Sequence, residues 1–253
     1  MPYELKGRNV LVTGGSAGLG AALCRTFAAL GCNVAINYCN RSAVAEALRD
    51  ECVAKGVRAV VVRADMCSTD ECRRCVDEAI EGLGGLDIVM ANAGWTKFTT
   101  FSDLDAMDES EWDRCWSCNV KAPLALLKAA KATFETNAEG GTMITTGSVA
   151  AIAQGGSSMA YAVTKAAQLQ LVKCLGKTQG PKIRVNSVLP GLLLTEWGLK
   201  YPAAELADIK QQSALKHEVF LQDCVDAFVM LARNTSMTGM KVQVDAGKNI
   251  QGA

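Results

Sequence analysis

Tyr161-Ala162-Val163-Thr164-Lys165 sets a phenol and an ammonium four residues apart. On a helix that spacing stacks the two side chains on one face, a turn from each other. A phenol, with an ordinary pKa of about 10, is a weak acid–base at neutral pH, but a neighbouring cation favours the phenolate and brings the group toward its working range. Ser148 precedes the tyrosine by thirteen residues and closes the run Thr145-Thr146-Gly147-Ser148. A hydroxyl just past a β-branched run is placed to hold a substrate oxygen. Taken singly, these residues have plainer readings: a Tyr and a Lys on a solvent-facing helix, and a serine as a turn or cap residue.

A second cluster, Thr13-Gly14-Gly15-Ser16-Ala17-Gly18-Leu19-Gly20, follows an apolar run and leads into a pattern with helical spacing. Strand, glycine turn and helix in that order make an anion site. Gly14 supplies the tight turn, Gly18 admits a pyrophosphate close to the backbone, and Gly20 lets the helix pack against the sheet with its amides facing the anion.

These groups need elements to position them, and the rest of the chain provides a regular set. Residues 9–12, 33–37, 59–62, 87–91, 142–146, 184–189 and 241–244 read as strands. Between them, residues 19–30, 43–54, 69–83, 109–136, 158–178 and 221–232 show helical spacing and are long enough for crossovers. The alternation predicts an α/β fold, a doubly wound, seven-stranded parallel sheet flanked by helices. In such a sheet ligands bind beyond the carboxyl ends of the strands. The glycine cluster, Ser148 and Ala91-Asn92-Ala93-Gly94 all follow strands. No repeat, low-complexity tract or Pro/Ser-rich linker interrupts the chain, so residues 1–253 read as a single domain.

With 26 basic and 26 acidic side chains, the field that gathers nucleic acid or an anionic membrane is missing. Hydrophobic residues at 49%, against 21% charged, supply a sizeable core. The amino terminus lacks the apolar stretch of a secretory signal and no run reaches the roughly 18 apolar residues of a membrane helix, which predicts a cytoplasmic protein. Eleven scattered cysteines read as reduced thiols. The pairs Cys72/Cys75 and Cys115/Cys118 are 39 residues apart and fall in helical segments, which argues against a zinc ribbon or a redox dithiol, and no metal is expected. His217 is the sole histidine; it follows no strand, and no Gly-x-Ser-x-Gly elbow accompanies it, so a serine hydrolase is disfavoured.

The glycine spacing, then Asn92, Asn119, Ser148 and the Tyr161/Lys165 pair, in that order, resemble the classical short-chain dehydrogenase/reductase family from about Leu5 to Gly247. The resemblance implies a Rossmann-type sheet and hydride transfer between a nicotinamide cofactor and a ketone or secondary alcohol. It makes Tyr161 the acid–base, Lys165 the residue that lowers its pKa and holds the nicotinamide ribose, Ser148 the partner of the substrate carbonyl, and Asn119 the holder of a water that passes protons onward. It places Gly14, Ser16, Gly18, Leu19 and Gly20 against the cofactor, Asn92, Ala93 and Gly94 at its floor, and Asp65 at the adenine amino group with Met66 beside it. Pro190, Gly191, Leu193 and Thr195 would complete the cofactor site, Thr195 against the carboxamide.

The family reads the adenosine ribose at the end of the second strand, where an acidic residue bonds the 2′-hydroxyl; here stands Asn37. Without that carboxylate a 2′-phosphate meets no like charge, and Arg41 offers it a positive partner, although position 17 in the glycine loop is alanine. NADP(H) is therefore expected over NAD(H). Trp95, Gln154, Met159, Leu192 and Trp197 are expected around an apolar or aromatic small-molecule substrate, covered by a segment around 192–220. Two other readings use the same site: an epimerase or dehydratase that retains its cofactor, and a cofactor-sensing binding protein that has no need of an acid–base. Helices 109–136 and 158–178 carry more apolar residues than one buried face needs, with Leu169 or Leu171 as the outward candidates. The resemblance pairs these helices across a two-fold axis and implies a homotetramer or homodimer.

Overall fold

A computed structural model of the chain describes residues 3–250. Strands β1 (Asn9–Val12), β2 (Asn33–Tyr38), β3 (Ala59–Arg63), β4 (Ile88–Ala91), β5 (Gly141–Thr146), β6 (Ile183–Pro190) and β7 (Lys241–Val244) form one parallel sheet in the order β3-β2-β1-β4-β5-β6-β7. The chain builds outward from β1 in one direction, then crosses back to β4 on its other side. That reversal opens a crevice beyond the carboxyl ends of β1 and β4.

The inner strands are buried on both faces, and the period of two assigns their side chains to two cores. Val10, Val12, Val34, Ile36, Ile88 and Met90 join one core, while Leu11, Ala35, Val89 and Ala91 join the other. Helices α1 (Gly18–Ala29), α2 (Ser42–Val53) and α8 (Leu221–Arg233) close the first. Helices α3 (Thr69–Leu83), α5 (Ala122–Thr136) and α6 (Met159–Thr178) close the second. The single doubly wound sheet is the fold that the alternating pattern predicts.

The structure departs from that pattern in two places. The helix expected over 109–136 is broken into α4 (Glu109–Trp116), a π-turn (Ser117–Lys121) and α5. Pro123 explains part of the break. It has no N–H to give the Asn119 carbonyl four residues back, and its ring crowds that carbonyl. Gln168 of α6 donates to this carbonyl instead, at 2.6 Å. The second departure is α7 (Ala203–Gln212), a helix with no buried residue in a stretch that carries no apolar face to betray it. It belongs to an excursion whose two ends are tied together, Leu193 pairing with Val219.

Candidate active site

At the crevice lies a cleft of about 970 Å³, built from the loops that follow β1 to β6. The first of these is the glycine loop. Gly14 and Gly18 hold φ of +59° and +51°, in the left-handed region that side chains disfavour. A Cβ on Gly20 would collide with the Gly14 carbonyl, so the first turn of α1 can approach the loop only because that residue is glycine. The loop is pinned from below: the Gly14 N–H donates to Asn37 Oδ1 at 3.0 Å, and Asn92 Nδ2 donates to the Thr13 carbonyl at 2.9 Å. Thr13 Oγ1 in turn accepts the N–H groups of Asn92 and Ala93, each at 3.0 Å. Thr146 Oγ1 donates to Asn92 Oδ1 at 3.0 Å, which locks β1, β4 and β5 into one rim. This open glycine cradle fits the pyrophosphate of a dinucleotide.

Ser148, Tyr161 and Lys165 meet at the other end of the cleft. Ser148 leaves β5 and caps the short turn Val149–Ala151, accepting from the Ala150 N–H at 3.1 Å. Ser158 caps α6 and accepts from the Tyr161 N–H at 3.2 Å. Tyr161 and Lys165 then fall one turn apart, the Lys165 Nζ 5.5 Å from the Tyr161 ring centre. Lys165 is almost wholly buried and donates to the Thr146 carbonyl at 2.7 Å. Burial disfavours its ammonium and pushes its pKa down to about 8. The phenol of Tyr161 moves the opposite way: desolvation raises it above its ordinary value, opposed by the hydrogen bond with Ser148. The expectation that Lys165 lowers the Tyr161 pKa is not met in the chain by itself, where desolvation sets the direction of the shift.

Most residues singled out in the sequence line this one cleft. Ser16, Leu19, Asp65, Met66, Gly94, Pro190, Gly191, Leu193 and Thr195 all do, as do Trp95, Gln154, Leu192 and Trp197 on the substrate side. Three expectations need correction. Asn37 is 1% exposed and its amide is fully engaged, Nδ2 donating to the carbonyls of Val62 at 3.2 Å and Ala64 at 3.1 Å. It braces the glycine loop against β3 and does not offer its side chain to a ribose; Tyr38, Cys39, Asn40 and Arg41 follow it along the cleft wall. Met159 lies two residues before Tyr161, on the far side of α6, and faces a separate small pocket with Phe101, Leu104 and Met107.

Asn119 is the third. It is fully buried behind the cleft wall, where Oδ1 accepts from the Trp95 N–H at 2.9 Å and Nδ2 donates to the Trp95 carbonyl and Thr164 Oγ1, both at 3.0 Å. Its main-chain carbonyl accepts from Gln168, its side chain braces the Trp95 loop, and it stands behind the residues that line the cleft.

Several residues escaped the sequence reading, among them Tyr201, which lines the cleft, and Phe98, which packs against Tyr201 without lining the cleft. Phe98 meets Trp197 edge-on at 6.2 Å and Tyr201 at 5.0 Å, and Trp197 lies 6.0 Å from the Tyr161 ring. The aromatic spacing after Gly94 was a signal for Phe98; nothing local marked Tyr201. Cys67, Arg114 and Cys118 also line the cleft. Arg41 pairs with Glu196 across the mouth at 2.6 Å. His217 stacks on Phe220 with ring centres 4.9 Å apart and does not line the cleft.

The model of the short chain dehydrogenase family matches residues 8–205. A versicolorin reductase from Emericella nidulans is 31% identical over 244 residues, which cover 96% of this chain and 87% of the relative. Among solved structures, a short chain dehydrogenase from Burkholderia cenocepacia in complex with NADP superposes with a TM-score of 0.89 at 31% identity, covering 97% of this chain and 99% of the other. A 7α-hydroxysteroid dehydrogenase complexed with NADH and 7-oxo glycochenodeoxycholic acid gives the same TM-score, 0.89, at 29% identity, with 96% and 95% covered.

Proposed function

This chain belongs to the short chain dehydrogenase family, and on that premise we propose that it is an NADP(H)-dependent carbonyl reductase, interconverting a ketone and a secondary alcohol of an apolar or aromatic small molecule. The observation that carries the reading is the convergence of Ser148, Tyr161 and Lys165 at one end of a cleft whose other end is the glycine loop. The nicotinamide supplies the hydride. The glycine loop would hold its pyrophosphate, Asp65 and Met66 its adenine, Lys165 its ribose and Thr195 its carboxamide.

The chain's own groups then handle the oxygen and the proton. Ser148 holds the substrate carbonyl. Tyr161, kept protonated by its desolvated setting, gives its phenolic proton to the developing alkoxide, which suits the reductive direction. Lys165, held by the Thr146 carbonyl, carries positive charge near the phenolate that results. Trp197, Phe98 and Tyr201 form an aromatic wall against which a flat or alicyclic ketone would rest, with the 192–220 excursion as its cover. Likeness to a reductase named for versicolorin supports this substrate class.

Arg41 on the cleft wall and the lack of a free carboxylate at the end of β2 support NADP(H), as does likeness to a structure complexed with NADP. For assembly we propose a homodimer or homotetramer built on α5 and α6, because Leu124 and Val163 on those helices remain 37% and 45% exposed. Leu169 is buried and cannot serve there, while Leu171 packs partly against the core. The eleven unpaired cysteines support a reducing, cytoplasmic setting, and no helix among the described residues is long and apolar enough to cross a membrane. Turnover of NADPH and NADH with a panel of aromatic and alicyclic ketones tests the assignment. Substrate isomerised or dehydrated with no net cofactor consumption would replace it with an epimerase or dehydratase.

A further inference from the structure

The covering excursion brings a cation to the substrate side of the cleft that hydride transfer does not use. Lys200 ends the short turn Gly198–Lys200 and lines the cleft together with Trp197 and Tyr201. In so tight a turn residues three apart eclipse, which lays the lysine stem alongside the Trp197 indole. The Lys200 Nζ stands 6.0 Å from the Trp197 ring centre and 5.8 Å from that of Phe98, the ring that meets Trp197 edge-on. Trp197 in turn lies 6.0 Å from the Tyr161 ring. One indole is therefore the neighbour of both the acid–base and the ammonium, which lies within two such steps of Tyr161.

Other cations of the cleft have partners. Lys165 donates to the Thr146 carbonyl, and Arg41 is paired with Glu196. Among the described residues the lysines in ion pairs are Lys97, Lys131 and Lys210, and Lys200 is not one of them. The two rings attract its ammonium through their faces and steady it, but they carry no compensating charge and leave its three N–H donors to a ligand. Carboxylates do border the site. Glu205 and Asp208 line the cleft with Ile209 and Gln212, positions that share one face of α7. Asp208 accepts from Gln212 Nε2 at 2.5 Å, and neither carboxylate pairs with Lys200.

We propose that Lys200 determines specificity by binding a carboxylate of the substrate, so that the protein selects oxo acids built on an aromatic or alicyclic body over neutral ketones of the same shape. The proposal rests on the carbonyl reductase reading given above and narrows its substrate class. The ketone is held at Ser148 and Tyr161, the body lies against Trp197, and the carboxylate accepts from the ammonium beside that ring. A one- or two-ring body has the reach the geometry asks for. Because Lys200 is exposed, water and salt screen its charge, and its contribution is that of a discriminating contact, not of the main binding force. The α7 carboxylates act in the same sense, since they disfavour a second negative charge on the side of the substrate that faces them.

The test compares para-acetylbenzoate, its methyl ester and para-acetylbenzylamine as substrates with NADPH. The parent is expected to favour the acid over the ester by about tenfold in kcat/KM, and the preference should shrink as salt is raised. Lys200→Met should raise KM for the acid by about tenfold with kcat held within about twofold, and Lys200→Arg should keep most of the preference. Circular dichroism and the NADPH dissociation constant of each variant check that the fold is intact. Equal use of acid and ester by the parent, or a preference that survives in Lys200→Met, overturns the proposal. So does a preference for the amine, which would assign selectivity to Glu205 and Asp208. Calorimetry with naphthoate and naphthamide in the presence of NADPH reads the anion site without turnover. Naphthoate bound more tightly by the parent and not by Lys200→Met, in a protein that reduces none of the ketones, would fault the functional reading and leave the anion site standing; equal or absent binding of the two overturns the site.

Discussion

Arg41 and Glu196, 155 residues apart in the chain, meet at 2.6 Å across the mouth of the cleft. The guanidinium that would meet a 2′-phosphate is therefore engaged with a carboxylate of the covering excursion. Both side chains are solvent-exposed, so the pair contributes little stability and yields to a stronger anion. Arg41→Ala is expected to weaken NADPH by roughly 1–3 kcal/mol, about 5- to 150-fold, and to leave NADH binding nearly unchanged. Glu196→Gln, which removes the competitor, should tighten NADPH by no more than about fivefold. Dissociation constants for both cofactors decide it; an equal loss for NADPH and NADH in the arginine variant would take Arg41 out of phosphate recognition.

Asn37→Asp is expected to damage the fold and not to reverse cofactor preference. A carboxylate there would face the carbonyls of Val62 and Ala64, which now accept from the amide. Two buried hydrogen bonds are lost and a charge is buried without a partner, a cost of about 2–5 kcal/mol. Thermal unfolding should fall by several degrees. A variant as stable as the parent that prefers NADH would show that Asn37 reads the ribose after all.

Tyr161→Phe keeps the ring against Trp197 and removes the proton donor. Turnover should drop by about 10²–10⁴-fold while the NADPH dissociation constant stays within about twofold. Stopped-flow and equilibrium fluorescence measurements separate the two quantities, and retained turnover would move the acid–base role elsewhere.

Lys165 gives a pH signature. Its folded-state pKa, about 8, lies below the ordinary 10.5, so burial of its ammonium costs stability in full below about 8. That cost is relieved as pH rises from about 8 to about 10.5, where the unfolded chain still holds the proton and the folded chain has released it. Lys165→Met should therefore be more stable than the parent at neutral pH, by an amount on the order of 3 kcal/mol. The advantage should shrink across that window in urea unfolding. A gap that does not change between pH 7 and pH 10 would mean that the ammonium is solvated.

Val163→Asp and Leu124→Glu place charge on the exposed apolar positions of α6 and α5. Light scattering should show the parent as a dimer or larger and each variant as a smaller particle with unchanged circular dichroism. A parent that scatters as a 26.8 kDa monomer ends the assembly proposal.

The strands were legible because burial on both faces enriches them in Val, Ile and Ala, and the glycine loop because Gly14, Gly18 and Gly20 answer steric demands that no other residue meets. Ser148, Tyr161 and Lys165 were legible because one strand end and one helical turn suffice to place them. Asn37 was not. Its direction depends on the register of β2 against β3, where it lies opposite Val62, and no local spacing records that partner. The aromatic wall likewise depends on how the excursion folds back, which brings Tyr201 against Phe98.

The π-turn carries a further consequence, one of phase. Each residue of an α-helix advances the chain by about 100°, and a π-turn accommodates a residue that a regular helix of the same rise would not. Cys115 on α4 faces Met107 and Ala160, whereas Leu126, Leu127 and Phe134 on α5 face the sheet, and only that extra residue brings both sets inward. Removal of any one residue between 117 and 121 would straighten the rod and swing α4 through about 100° relative to α5. Cys115 would leave its cluster, and the Asn119 clamp on Trp95 would open. A stretch that looks like the interior of an ordinary helix is therefore less tolerant of a one-codon deletion than the surface loops on either side of it.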